Sequence, residues 1–228
     1  MKVGEVINLA FKHHYEVYYY SMAYYNKKVY SIYGRIWQNL VIWLLLMPIY
    51  YIFFRLKVFG RENIPQNRPF IVMPNHLSNN DPPLVCAALN INIAYMAKKE
   101  LFNVPFWGVL IKTLAAFSID REKVEKTTIK AAKEILKMNW PVGIFLEGTR
   151  SKIPGMLGKP NLGPGFIANL TGVEVLPVGI VGSNKLFGPV TVRIGKSFMP
   201  EKDLEKARWQ CSEKLSELTG FKLPEREL

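Results

Sequence analysis

Cysteine, histidine and acidic residues are all scarce in this chain of 228 residues, which has 2 Cys, 3 His and 18 Asp+Glu. Cys86 and Cys211 stand far apart with no second pair, which excludes a disulfide scaffold and a cysteine zinc site and suits a reducing, cytosolic setting. His76 is the only histidine outside the N-terminal segment. One imidazole with a nearby carboxylate does not make a zinc site, so no metal is expected. Nucleotide fingerprints are missing as well. Gly195-Lys196-Ser197 looks like the tail of a phosphate-binding P-loop, but Val190 stands where that motif needs glycine. No Gly-x-Gly-x-x-Gly follows a candidate strand, and no Gly-x-Ser-x-Gly elbow is present.

Positive charge is abundant instead. With 30 Lys+Arg the net charge is +12, so the surface should attract polyanions: nucleic acid, an acidic carrier protein or a membrane of anionic lipids. Charge alone does not choose among them. A hydrophobic content of 49% excludes disorder as the main state. The length suits one α/β domain with an appendage, divided here into residues 1–55 and 56–228.

The aromatic residues are concentrated in the first 60 positions, which hold 10 of the 11 Tyr. Between Arg35 and Arg55 lie 19 uncharged residues, IWQNLVIWLLLMPIYYIFF. A helix of that length measures about 28 Å, against a hydrocarbon thickness of about 30 Å. Gln38 and Asn39 shorten its apolar part and Pro48 weakens or bends it. Trp37, Trp43, Tyr50 and Tyr51 are residues that favour the water–lipid interface. An embedded, partly penetrating helix is expected rather than a full crossing. Upstream, Glu5, Asn8, Lys12 and Glu16 recur opposite Val3, Val6, Ile7, Ala10 and Val17, the pattern of an amphipathic helix. The two helices would form one membrane anchor joined near residues 26–34, with a cleaved signal peptide fitting poorly. The alternative is that both pack on the remaining domain as apolar core.

From residue 56 short β-branched runs alternate with amphipathic windows, which predicts an α/β fold: a mixed sheet flanked by helices. Strands are expected at 56–59, 70–73, 93–97, 115–119, 142–146, 175–181 and 190–194. Helices are expected at 82–89, 100–113, 122–138, 165–170 and 201–218. The third helix carries Lys126, Lys130, Lys133 and Lys137 on its outer face, a possible docking patch. The glycine- and proline-rich stretch 148–163 is a long loop, and such loops are often functional.

The chemistry-bearing residues follow two of these strands. Asn75-His76 lies after the strand 70–73, and Asp81-Pro82 starts a helix, with Asp81 expected as N-cap and Pro82 in the first turn. On one continuous helix a spacing of five would turn the two side chains about 140° apart, whereas a loop can fold them together. An aspartate that accepts a hydrogen bond from one ring nitrogen fixes the tautomer and leaves the other nitrogen as a base. Asp81 acting only as a cap is the competing assignment. After the strand 142–146 comes Glu147-Gly148-Thr149-Arg150-Ser151, whose backbone freedom, hydroxyls and guanidinium suit an anion such as phosphate. Asp120-Arg121 could add a second guanidinium.

Taken in order, these blocks resemble the glycerolipid acyltransferase family, specifically bacterial lysophosphatidate acyltransferases, over about residues 57–197. Val58 to Pro65 looks like the entry strand, His76 to Asp81 the His-x4-Asp motif, Phe117 to Arg121 the second block, Phe145 to Ser151 the Glu-Gly-Thr-Arg-Ser block, and Leu176-Pro177-Val178 the fourth. The resemblance implies His76 as general base, oriented by Asp81, acting on a glycerol hydroxyl without a covalent acyl-enzyme. It implies that Arg121, Glu147, Gly148, Thr149 and Arg150 hold the acceptor phosphate, with Lys159 a further ligand from a loosely matched element. Leu146 departs from the family's usual proline. The resemblance further implies no bound cofactor and acyl carrier protein or coenzyme A as cosubstrate, while the N-terminal helices lead to the expectation of membrane lipids as partners and a place on the cytoplasmic face of the cell membrane. Glycerol-3-phosphate or lysophospholipid acyltransferases differ only in acceptor. A non-enzymatic membrane-surface or nucleic-acid-binding protein would use the charge but leave His76, Asp81 and Glu147 without a task, so nucleic acid is not expected as a partner. Oligomeric state is not legible.

Overall fold

A computed structural model describes residues 27–105, 107–119, 126–185 and 187–226. The expected amphipathic helix upstream of residue 26 lies outside them. A single helix, α1 (Ile32–Phe53), covers the uncharged run and is long and apolar enough to cross a membrane, with most of its residues not buried. Ser31 caps its start by accepting the Gly34 amide. Around Pro48 the helix widens into two π-type turns, Ile42–Leu46 and Ile49–Phe53. Proline has no N–H and its ring presses on the preceding turn, and a wider turn relieves that pressure.

One side of α1 is docked on the sheet domain. Ile42, Tyr50 and Phe54 share a core with Val72, Leu84, Leu176, Ile180 and Val192. Gln38 explains its own position in an apolar run: it is buried, donates to the carbonyls of Ile93 and Leu114, and accepts the Ile93 amide. Arg35 donates to the carbonyls of Met138 and Asn139 and lies 4.6 Å from the Trp140 ring centroid. The opposite side of α1 is exposed, with Tyr33, Trp37, Trp43, Leu44 and Ile52 facing outward. Tyr50 corrects an expectation: it is only 5% exposed and its hydroxyl donates to the Asn80 carbonyl, so it belongs to the core rather than to a lipid-facing set. Trp37, Trp43 and Tyr51 do lie on the outside.

Among the described residues seven strands form one sheet: β1 (Lys57–Phe59), β2 (Ile71–Pro74), β3 (Ala94–Lys98), β4 (Phe117–Ile119), β5 (Val142–Gly143), β6 (Val175–Val181) and β7 (Thr191–Ile194). Their spatial order is β1-β7-β6-β2-β5-β3-β4. Every neighbouring pair is parallel except β6 and β7, so the sheet is mixed as expected. The central strands are buried on both sides, which is why β6 reads as an unbroken apolar run. The described residues form five further helices: α2 (Asp81–Leu89), α3 (Trp107–Thr113), α4 (Lys126–Lys137), α5 (Gly163–Thr171) and α6 (Leu204–Thr219). Residues from α4, α5 and α6 contribute to a second core built on Ile71, Met73 and Phe117.

The helix expected over 100–113 is instead a 3-10 segment (Lys99–Asn103) followed by α3. Pro105 disfavours helical backbone at the residue before it, and Val104 is extended. Strand β5 is shorter than expected, yet the amides of Ile144 and Leu146 still donate to Val72 and Pro74, so its pairing with β2 continues to the start of the site.

Candidate active site

Strands β2, β5 and β6 are parallel neighbours, so their C-terminal ends open on one rim, where open α/β sheets place ligand groups. His76 follows β2, Glu147 follows β5, and Ser183 follows β6. The buried Asn75 side chain braces that rim by donating to the Ile180 carbonyl at 3.0 Å and accepting the Ile180 amide at 2.6 Å.

His76 Nδ1 lies 2.9 Å from Asp81 Oδ2, with the imidazole side chain 15% exposed and the carboxylate fully buried. The same Oδ2 accepts the amides of Leu77 at 2.6 Å and Ser78 at 2.7 Å, while Oδ1 accepts the Ser183 hydroxyl at 2.5 Å. A buried carboxylate with four donors around it is held as an acceptor. With Nδ1–H given to Asp81, Nε2 keeps its lone pair.

Asp81 does not cap helix α2; Asn80 precedes the helix without a side-chain capping bond. Pro82 and Pro83 have no N–H to offer, so the carboxylate turns back to the loop and the imidazole instead. The His76 ring also stacks on Phe145 at 4.1 Å between centroids, and Phe145 stacks on Tyr95 at 5.8 Å.

Glu147 is 4% exposed and its Oε2 accepts the backbone amide of His76 at 3.1 Å. Burial pushes its carboxyl up to about 8; the amides of Glu147, Gly158 and His76 oppose that shift, and the Asp81 charge adds to it. Glu147 therefore lies beneath the loop, away from the surface where the other members of its block stand. Thr149, Arg150 and Lys159 are exposed. Gly148 has a φ of +63°, and Asn161, which donates to the Glu147 carbonyl, sits where a β-carbon at position 148 would go. Arg121 lies outside the described residues.

From the sequence Ser183 is missed, and Asn75 and Phe145 figure only as members of their motifs, with no role of their own. The signal for Ser183 was the end of the apolar run at Val181, which places Gly182 and Ser183 on the same rim as His76. Cys86 is buried in α2, its thiol pushed up to about 12 by desolvation. Among the described residues no group of three or more His, Cys, Asp or Glu is arranged to hold a metal ion.

A family profile described as Acyltransferase matches residues 55–181. The 1-acyl-sn-glycerol-3-phosphate acyltransferase of Bacillus subtilis is 38% identical over 96 residues, covering 42% of this chain and 48% of that protein. The enzyme of the same name from Helicobacter pylori is 34% identical over 119 residues, 51% of this chain and 50% of that protein. The crystal structure of the 1-acyl-sn-glycerophosphate (LPA) acyltransferase PlsC from Thermotoga maritima is similar with a TM-score of 0.63 and 26% identity, covering 88% of this chain and 91% of that one. The chain spans about half the length of the curated relatives it matches. The ordered blocks, the mixed sheet and the profile match over more than half of its length agree: this chain belongs to the Acyltransferase family.

Proposed function

We propose that this chain is a lysophosphatidate acyltransferase, moving a fatty acyl group from a thioester of acyl carrier protein or coenzyme A to the free sn-2 hydroxyl of lysophosphatidate. The observation that carries this is the 2.9 Å contact between His76 Nδ1 and Asp81 Oδ2 at the sheet rim. Nε2 of His76 takes the hydroxyl proton as the oxygen attacks the thioester carbonyl. The tetrahedral intermediate collapses to ester and thiolate, and the imidazolium returns its proton to the sulfur. Asp81 stabilises the imidazolium in between and holds its orientation.

Transfer is direct. Cys86 is buried with its thiol pushed up to about 12, a poor nucleophile. Ser183 spends its proton on Asp81. Thr149, Arg150 and Lys159 are exposed beside the rim and, with Arg121, supply the charge for the acceptor phosphate, while Glu147 and Gly148 shape the loop that presents them. The thioester already stores the energy of transfer, so the reaction calls for no resident metal or cofactor. The exposed apolar side of α1 seats the protein on the cytoplasmic face of the membrane, where a single-chain acceptor resides.

The test offers several acyl thioesters and glycerophosphates to the purified protein and identifies products by mass spectrometry. Phosphatidate is expected. His76→Ala should lower turnover by about 10²- to 10⁴-fold with the melting temperature retained. Full activity in that variant would reject the base assignment, and no phosphatidate from any thioester would reject the activity.

A further inference from the structure

Two routes join the C-terminal end of α1 to the His76–Asp81 pair. The first is direct: the Tyr50 hydroxyl donates to the Asn80 carbonyl, one residue before Asp81, at 3.1 Å. The second runs through the loop between β6 and β7. That loop leaves β6 at Gly182, whose φ is +90° and where a β-carbon would meet the Pro189 carbonyl oxygen at 2.4 Å, so the base of the loop closes tightly on itself. Next comes Ser183, 4% exposed, its hydroxyl on Asp81 Oδ1. Further along stands Phe187, with a φ of +55° that a bulky residue rarely adopts and a ring left 57% exposed. Its ring centroid lies 6.1 Å from that of Phe53 and 5.9 Å from that of Phe54. The loop then returns to α1, the Val190 amide donating to the Phe54 carbonyl at 3.0 Å.

One short loop thus carries an exposed aromatic ring at one point and the partner of the buried aspartate at another. Phe187 continues the exposed apolar side of α1 through Phe53 and Ile52, which are 55% and 68% exposed. Exposed Arg55, Lys57 and Lys185 flank this aromatic tip in sequence, the arrangement that suits hydrocarbon bordered by anionic headgroups.

We propose that the β6–β7 loop is an interfacial sensor: Phe187 and Phe53 enter the hydrocarbon of a lipid surface, and Ser183, as a positioning residue, passes that contact to Asp81. Resting on the acyl-transfer function proposed above, the device sets the pair for work when the protein sits on lipid, where its acceptor is found. Without lipid the exposed rings face water, and the loop that holds Ser183 loses the apolar environment its aromatic end prefers.

Two measurements on the full chain test it. An environment-sensitive fluorophore placed through Phe187→Cys, with Cys86 and Cys211 both buried, should shift to shorter emission wavelength on vesicles of phosphatidylcholine and phosphatidylglycerol. It should also be quenched by a nitroxide in the acyl region. Unchanged emission would overturn the lipid contact. For the coupling, turnover is compared on vesicle-borne lysophosphatidate and on a short-chain, water-soluble analogue. Phe187→Ser should lower the ratio of the two rates about tenfold and Phe187→Leu should keep it. Ser183→Ala should lower kcat about tenfold with KM for the acceptor unchanged, and Ser183→Thr should restore it. A wild-type ratio in Phe187→Ser, or a wild-type kcat in Ser183→Ala, would overturn the coupling. If the wild type transfers nothing to either acceptor, the acyl-transfer function fails by itself, and the emission measurement still decides whether Phe187 meets lipid.

Discussion

Glu147 Oε2 accepts the backbone amide of His76 at 3.1 Å, so the residue that follows β5 fixes the main chain of the residue that follows β2. The two positions are 71 residues apart in sequence. The contact is made by a carboxyl whose folded value, about 8, lies above its ordinary 4.5. An acid shifted upward favours folding fully below its unfolded pKa and loses that contribution as pH rises through the folded one. Glu147→Gln, which imitates the protonated acid, should match the wild type in stability near pH 4. It should exceed the wild type by on the order of a few kcal/mol near pH 9. Denaturant unfolding of both proteins at the two pH values measures this; equal differences at both would mean that Glu147 titrates normally.

Asn75 stands in for a backbone segment against Ile180, donating and accepting once each while fully buried. Asn75→Ala strands one amide and one carbonyl in the interior, which should cost about 2–4 kcal/mol of stability. Chemical denaturation is the check, and a loss below about 1 kcal/mol would mean that water replaces the side chain.

Cys86 and Cys211 are both buried with thiols pushed up to about 12. Neither should react with a chromogenic disulfide reagent in the folded protein, and both should react in denaturant. Cys86→Ala should retain acyl transfer. Loss of activity with stability intact would reopen a covalent route.

On α1 the residues divide cleanly. Trp37→Ser combined with Leu44→Ser, both on the exposed side, should weaken partitioning onto anionic vesicles with little change in unfolding. Tyr50→Phe removes a buried hydroxyl and its bond to Asn80, which should cost about 1 kcal/mol of stability and leave partitioning alone. Co-sedimentation with vesicles and thermal unfolding separate the two effects; the reverse pattern would invert the faces assigned to the helix.

Much of the fold was legible because burial on both sides of a parallel sheet writes continuous apolar runs. Val175–Val181 could be read residue for residue on that basis. The pairing of His76 with Asp81 was legible as a possibility, since five positions in a loop are close enough to meet. The Ser183 hydroxyl on Asp81 was not, because 102 positions separate them and only strand order brings them together. Asp81 also misled locally: an aspartate before proline reads as a cap, and only the missing donors of two successive prolines free it for the loop. Gln38 misled in the opposite sense, as a polar interruption of a lipid-facing run, when its amide pins the helix to Ile93. Tyr50 shows the same limit, since a tyrosine near the end of an apolar helix faces core or lipid according to partners that lie elsewhere in the chain.

Among the described residues strand β1 has its sole sheet neighbour in β7, and Asn63 just beyond it reaches the Ile194 carbonyl 131 positions later. Strand β1 can therefore take its seat only after Thr191–Ile194 have been made. At a ribosomal pace this interval is on the order of ten seconds. During it the helix before β1 already exists, while β6 and β7, which supply Leu176, Ile180 and Val192 to its inner side, are still unmade. A segment so apolar favours a greasy surface or a chaperone over water in that window, so the strand order sets how long the nascent chain exposes it.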